Sequence, residues 1–129
     1  MNRKMKVYLA SPLFTEYERE KVKEVAEKLR EQYEVYVPME HQIENAWKMS
    51  NWIWARKVFE EDIKQIQNCD FVVCIYFGLY SDSGTAWECG YAYGIGKPVR
   101  LMDYSNNEVS LMMVNGSYNS YDYENKWQT

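Results

Sequence analysis

The sequence FVVCIY at residues 71–76 decides the fold, because six consecutive β-prone residues carry no charge. A strand with one face in water alternates apolar and polar residues, whereas a strand buried on both faces is a continuous apolar run. The run therefore predicts a central strand of a parallel sheet that has helices on both faces.

The segments on either side of this run alternate between strand and helix patterns. Thr15 and Glu18 form a capping-box pattern at the start of one helix, and Ser50 can cap a second. The predicted helices cover 15–31, 50–68, the segment around Glu88 and 108–114, and the other predicted strands cover 6–10, 33–37, 99–102 and 117–121. This alternation predicts an α/β three-layer sandwich with a five-stranded, mainly parallel sheet, in a single domain over residues 1–129.

The composition excludes several classes of partner. A net charge of −4 at pH 7 argues against a nucleic-acid backbone or an anionic membrane. No apolar run approaches the roughly 18 residues that span a membrane, and no signal-peptide pattern is visible, so the expected location is cytoplasmic. The three cysteines are then expected to be reduced core residues, and no Cys-x-x-Cys or histidine cluster predicts a metal site. The single histidine, His41, is expected to be solvated in a loop after Pro38.

One carboxylate, Glu88, lies in a segment whose other residues favour burial. Small residues alternate with aromatic ones from Gly84 to Gly94, and no other charge occurs between Asp82 and Lys97. A helix that is apolar nearly all round is expected to pack against a sheet, where an ionisable group costs free energy unless it is paired or used. Glu88 is therefore the first candidate for chemistry. The alternative is a buried acid that a tyrosine or an arginine satisfies.

A second carboxylate, Asp62, interrupts the apolar stripe of its helix between Phe59 and Ile66. Because an aspartate is rarely buried without a partner, Asp62 is either a general acid or base with a tuned pKa, or an edge residue bonded to nearby backbone. Local patterns predict that Asp82 caps the helix that follows it and that Tyr8 packs within its strand. The loops after these strands meet at the edge of a parallel sheet where ligands bind.

Four segments together resemble the nucleoside 2-deoxyribosyltransferase family. They occur in order along the chain and read VYLASPLF at 7–14, DI at 62–63, DSGTAWECG at 82–90 and SLM at 110–112. The pattern D-x-G-T-A-W-E-x-G is the most specific, and GKPV at 96–99 follows at the family's spacing. The resemblance runs from about Lys6 to Met113. It implies a flavodoxin-like fold and a retaining transfer of 2-deoxyribose between nucleobases, with no metal or organic cofactor.

The resemblance also implies a role for each matching residue. Glu88 matches the nucleophile that attacks the anomeric carbon to form a deoxyribosyl ester, and Tyr8 matches the tyrosine that holds this carboxylate. Asp62 matches the acid that protonates the leaving base, and Asp82 matches the aspartate that binds sugar hydroxyls. Further substrate-binding positions are implied at Gln42, Ser11, Gly84, Ser110 and Met112. The implied partners are 2′-deoxynucleosides and free nucleobases, in a dimer or hexamer whose subunits share sites.

Departures from the family pattern keep other activities open. Ser110 stands where the transferases usually carry asparagine, and it is similar to the serine of the related 2′-deoxynucleoside 5′-monophosphate N-glycosidases. Against this, Asp82 stands where those hydrolases tend to have serine, and residues 11–15 lack their arginine. A carboxylate repels a phosphate dianion, so the expected activity is nucleoside transfer with slow hydrolysis as a side reaction. The alternatives are the monophosphate N-glycosidase and a non-catalytic nucleoside-binding module.

Overall fold

Four parallel strands form the sheet in the computed structural model, which describes residues 3–78, 82–105 and 108–117. They are β1 (Lys6–Ala10), β2 (Glu34–Tyr36), β3 (Phe71–Tyr76) and β4 (Val99–Asp103), in the spatial order β2-β1-β3-β4. Every residue of β3 is buried, as its continuous apolar run predicts. The predicted parallel sheet is confirmed, but the count of five is wrong for the described residues, which form four strands. The predicted strand at 117–121 falls outside the described residues except for Ser117, which lies in a bend.

Helices connect the strands, and side chains fix where three of them begin. The helices are α1 (Glu16–Leu29), α2 (Asn51–Asn68), α3 (Ser83–Gly94) and the short α4 (Leu111–Asn115). Thr15 and Glu18 form the predicted capping box of α1, Ser50 caps α2 and Asp82 caps α3. Each cap accepts a hydrogen bond from a backbone N–H that has no partner inside its helix. None of the helices in the described ranges is long and apolar enough to cross a membrane.

The helices lie on both faces of the sheet and complete three layers. On one face, α1 packs its buried stripe against residues of β1, β2 and β3, among them Val7, Leu9, Val35, Phe71 and Val73. On the other face, residues of α2, α3 and α4 pack against alternate residues of the same strands, among them Tyr8, Ala10, Val72 and Cys74. The strand order matches that of the first four strands of a flavodoxin-like sheet.

Helix α3 is less buried than its sequence predicts. It buries Thr85, Cys89 and Ala92, whereas Trp87 and Tyr93 are exposed. The expectation of burial nearly all round is therefore wrong, because this helix contacts the sheet along one side only. Glu88 is half-buried, and α3 has an exposed side. The helix is therefore accessible at the edge of the sheet where the strands end.

Candidate active site

A cleft of about 650 Å³ opens where the carboxyl ends of β1 and β2 meet the start of α3. The floor of the cleft is aliphatic and includes Leu9, Val22, Val37 and Ile66. The cleft also holds three carboxylates and three small residues, which are Asp62, Asp82, Glu88, Ser11, Ser83 and Gly84. Five predicted site residues are thus brought together at the sheet edge where ligands bind in open α/β folds.

Tyr8 joins this group through a hydrogen bond to Glu88. The residues are 80 positions apart, and the Tyr8 hydroxyl donates to Glu88 Oε2 at 2.5 Å. Tyr8 is completely buried, and burial together with the negative charge of Glu88 raises its pKa well above the ordinary value of 10. The phenol therefore stays protonated and acts as a hydrogen-bond donor to the carboxylate.

The carboxyl group of Glu88 has an unusual proton affinity. Burial raises its pKa from 4.5 to about 7, the hydrogen bond from Tyr8 opposes this rise, and the negative charges of Asp62 and Asp82 add to it. Desolvation therefore outweighs the hydrogen bond that Tyr8 donates to the charged form. A half-buried carboxylate that faces a cleft and is held by one hydrogen bond from Tyr8 is well suited to react with an electrophilic carbon.

Asp62 lies on α2 at the same cleft and is half-buried. Burial raises its pKa from 3.8 to about 6, and the negative charge of Glu61 contributes to the rise. A carboxyl group with a pKa near 6 can hold and release a proton close to neutral pH. The structure places Asp62 at the cleft, and its role as a general acid or base stays a prediction.

Asp82 caps α3 and also lines the cleft. Its Oδ2 accepts hydrogen bonds from the backbone N–H and the hydroxyl of Thr85, both at 3.0 Å. A Cβ at Gly84 would lie 3.1 Å from the same oxygen, so the absence of a side chain gives the carboxylate its room. The predicted cap is confirmed, and both cap bonds fall on one of the two carboxylate oxygens.

Three other predicted residues lie apart from Glu88 in this chain. Gln42 lines an adjoining cavity of about 650 Å³ that shares Asp62 with the cleft. Ser110 donates its backbone N–H to the Tyr76 hydroxyl at 2.7 Å, and the side chain of Met112 is 80% exposed on α4. The loop after β2 places Gln42 beyond the cleft. The chain after β4 places Met112 next to the side of α3 that faces away from the cleft, and Ser110 directly precedes α4.

The cleft has an aromatic rim that the sequence patterns do not predict. Phe14, Phe59 and Trp87 line the cleft and are 75%, 52% and 51% exposed. The Phe59 and Trp87 rings meet edge to face, with centroids 5.3 Å apart. Exposed rings at a cleft offer a flat heterocycle a surface on which to stack. The position of Trp87 next to Glu88 could have indicated an aromatic residue at the site. The α3 helix was instead expected to bury its aromatic residues.

The charge of the cleft restricts what it can bind. Among its described lining residues there are three carboxylates and no lysine, arginine or histidine. Within residues 3–78, 82–105 and 108–117, no three His, Cys, Asp or Glu side chains are placed to hold a metal ion. The aliphatic floor and the aromatic rim suit a flat ring, and the carboxylates suit hydroxyl groups. The cleft therefore suits a neutral ligand that has both.

Comparisons with known proteins agree with this chemistry. Residues 7–122 match the family described as nucleoside 2-deoxyribosyltransferase. The nucleoside deoxyribosyltransferase of Lactobacillus leichmannii is 27% identical over 110 residues, which cover 77% of this chain and 70% of that protein. The structure of a 2-deoxyribosyltransferase from Bacillus psychrosaccharolyticus has a TM-score of 0.80 at 33% identity, with 93% of this chain and 90% of that chain covered. A CMP N-glycosidase from Clostridium botulinum has a TM-score of 0.58 at 26% identity, with 94% and 95% covered.

Proposed function

The chain belongs to the nucleoside 2-deoxyribosyltransferase family, and we propose that it transfers 2-deoxyribose from one nucleobase to another. The single observation that carries the proposal is the hydrogen-bonded pair of Tyr8 and Glu88 in a cleft with Asp62 and Asp82. Retaining glycosyl transfer needs one carboxylate at the anomeric carbon and a second acid at the leaving group. The pKa of Glu88 is about 7 and that of Asp62 about 6, so both groups change protonation near neutral pH, and the reactive form, with Glu88 ionised and Asp62 protonated, is a minority of the protein.

In the first step, Glu88 attacks the anomeric carbon of a 2′-deoxynucleoside. Since Tyr8 holds Oε2, the other oxygen, Oε1, forms the new bond to the sugar. The bond between the anomeric carbon and the base nitrogen breaks, and its electron pair leaves with the base. The base takes the proton of Asp62, and positive charge that develops on the sugar is stabilised by the nearby carboxylates. Asp82 binds the sugar hydroxyls through the oxygen that is not used in the helix cap.

In the second step, a nitrogen of the incoming base attacks the same carbon and the ester bond to Glu88 breaks. The electron pair of that bond returns to the Glu88 carboxylate, and the proton lost by the incoming base returns to Asp62. Both residues are then in their starting protonation states. A water molecule that replaces the incoming base gives free deoxyribose, which is the slow hydrolytic side reaction.

A nucleoside fits the cleft better than its 5′-monophosphate. The described lining offers no cation to a phosphate, and Asp82 occupies the N-terminus of α3, where a phosphate would otherwise find backbone donors. The similarity to a CMP N-glycosidase is a likeness of fold and supports hydrolysis of a monophosphate less well than transfer. Phe59 and Trp87 provide the stacking surface for the base.

Ser110 and Met112 are proposed to act in the site of a second copy of the chain. They lie outside the cleft of their own chain, and Leu111 and Met112 are 69% and 80% exposed on α4. A homo-oligomer with shared sites would bury these side chains against a neighbouring cleft. Sedimentation velocity tests this point, because an active monomer at assay concentration contradicts it.

The proposed activity is tested by incubating the protein with thymidine and adenine, and with thymidine alone. We expect deoxyadenosine and thymine in the first mixture and only slow release of thymine in the second. The Glu88→Ala variant is the matched control and should form neither product. Hydrolysis of dCMP with thymidine untouched would establish the monophosphate N-glycosidase instead. Nucleoside binding without turnover of any substrate would establish the binding module.

A further inference from the structure

A stack of three rings continues outward from the pair of Tyr8 and Glu88. The Tyr36 ring lies 5.7 Å from the Tyr8 ring with the planes 17° apart. The His41 imidazole lies 4.4 Å from the Tyr36 ring on a plane inclined by 9°. Tyr8 is buried, Tyr36 is half-buried and His41 is exposed, so the stack connects the hydrogen bond of the active site to the protein surface.

The register of the sheet places Tyr36 beside Tyr8. In the pairing of β1 with β2, Tyr8 lies opposite Tyr36, so the two rings share one face of the sheet. Val35 and Val37 point into the core on the other face. A slip of one residue would replace the Tyr36 ring by valine, so the stack depends on this register. On its other side, Tyr8 is paired with Val72 of β3, which is aliphatic.

A turn of 3₁₀ helix, Pro38–Glu40, returns the chain so that His41 covers the outer face of Tyr36. The His41 backbone N–H donates to the Pro38 carbonyl at 3.1 Å. Arg30, just after α1, donates to both oxygens of Glu40 at 2.6 and 3.1 Å and to the Val35 carbonyl at 3.1 Å. Arg30 therefore holds the chain before the turn, at Val35, and at the end of the turn, at Glu40.

We propose that Tyr36 and His41 are positioning residues of the active site, which hold the Tyr8 ring where its hydroxyl reaches Glu88. The inference rests on the proposed function for its meaning in catalysis, whereas the contacts that carry it are independent of any reaction. A single hydrogen bond from a phenol fixes a carboxylate only if the phenol ring cannot slide. Offset-stacked rings restrict such sliding and contribute more than their buried area alone.

Loss of the stack should change the proton affinity of Glu88 in a known direction. Among the described residues, the groups that face Glu88 are Tyr8 on β1, Asp62 on α2 and Asp82 at the start of α3. Of these, Tyr8 alone favours the charged form of Glu88, through its hydrogen bond, so a looser Tyr8 raises the pKa of Glu88 further. We expect Tyr36→Leu to raise that pKa by about half to one unit and to lower kcat about three- to tenfold, with KM for the nucleoside little changed.

The test is a titration of the Glu88 carboxyl by ¹³C NMR in protein labelled at glutamate, with the resonance assigned from its loss in Glu88→Gln. Tyr8→Phe sets the largest shift that loss of the hydrogen bond can produce. Tyr36→Phe keeps the ring and deletes the hydroxyl, so it should leave the pKa of Glu88 close to that of the wild type. Tyr33→Leu is the matched control, because it removes a ring that packs on the other face of the sheet against Phe71.

The double variant Tyr8→Phe/Tyr36→Leu separates positioning through Tyr8 from a general loosening of the fold. If Tyr36 acts through Tyr8, adding Tyr36→Leu to Tyr8→Phe should shift the pKa no further. An unchanged pKa in folded Tyr36→Leu, an equal shift in Tyr36→Phe, or a full additional shift in the double variant would each overturn the inference. If Tyr36→Leu does not fold, His41→Leu replaces it, because His41 is exposed and its loss removes one side of the stack.

The titration needs no substrate, so this inference and the proposed function fail separately. If the wild type does not exchange bases but Tyr36→Leu still raises the pKa of Glu88, the positioning role stands and the proposed reaction is wrong. If the wild type exchanges bases but Tyr36→Leu leaves the pKa of Glu88 unchanged, the proposed reaction stands and the positioning role is wrong.

Discussion

Replacing Glu88 by glutamine should stabilise the protein above neutral pH. Glutamine keeps the shape of the side chain and an oxygen that accepts from the Tyr8 hydroxyl, but it cannot ionise. The folded-state pKa of Glu88 is about 7 and its ordinary value is 4.5, so the folded state binds more protons than the unfolded state between these values. The free energy of unfolding of the wild type therefore falls as pH rises through this window.

The magnitude follows from the size of the pKa shift. Below pH 4.5 Glu88 is protonated in both states and the two proteins should be similar in stability. Above pH 7 ionisation of Glu88 in the cleft costs the wild type at most about 3 kcal/mol. Because the side chain keeps partial contact with solvent, we expect a gain of about 1–3 kcal/mol for Glu88→Gln at pH 9.

Urea unfolding at pH 4.5, 6, 7.5 and 9 measures this difference. The matched control is Glu27→Gln, which removes an exposed carboxyl from α1 and should show no comparable rise across the same range. Glu88→Gln should also lose base exchange, so stability and activity change in opposite directions. A Glu88→Gln variant that is no more stable than the wild type at pH 9 would contradict the raised pKa of Glu88. A gain in stability that is the same at every pH would contradict it as well.

Three further outcomes follow from the geometry of the cleft. Asp62→Asn should slow transfer by about 10²–10⁴-fold from ordinary bases and by much less from a base activated by an electron-withdrawing substituent; an equal loss with both donors would count against its role as the acid. The dependence of kcat/KM on pH should be bell-shaped with limbs near 6 and 7, because the reactive form has Asp62 protonated and Glu88 ionised. At pH 6.5 that form is roughly one molecule in twenty, and a profile that stays flat from pH 5 to 9 would contradict the assignment. Asp82→Ser should keep the helix cap and so change stability by less than about 1 kcal/mol, while nucleoside KM rises and turnover of 5′-monophosphates improves; an unchanged preference would remove Asp82 from substrate recognition.

The parts of the fold that sequence predicts are those set by local chemistry. The caps at Thr15, Ser50 and Asp82 depend on groups within three residues of each other along the chain, so their patterns are readable directly. The run 71–76 predicts its own burial because a strand that is apolar on both faces is stable only where both faces are covered, as at the centre of a parallel sheet. Glu88 and Asp62 were identified for a related reason, since each is an acid in an otherwise apolar pattern.

The parts that sequence does not predict depend on contacts between distant segments. Nothing in the pattern around Trp87 shows that only one side of α3 meets the sheet. The stack of Tyr8, Tyr36 and His41 requires the strand register and the return of a loop, neither of which has a local signature. Gln42 was assigned from its place in the family pattern, and the structure puts it in the cavity beside the one that holds Glu88.

Trapping the ester between the sugar and Glu88 tests the proposed covalent mechanism. A nucleoside with fluorine at C2 of the sugar destabilises positive charge at the anomeric carbon and should slow breakdown of the ester. Intact-protein mass spectrometry should show one added fluorodeoxyribosyl group, peptide mapping should place it on Glu88, and added adenine should remove it. Release of the base without any adduct, or an adduct on another residue, would contradict the covalent role of Glu88.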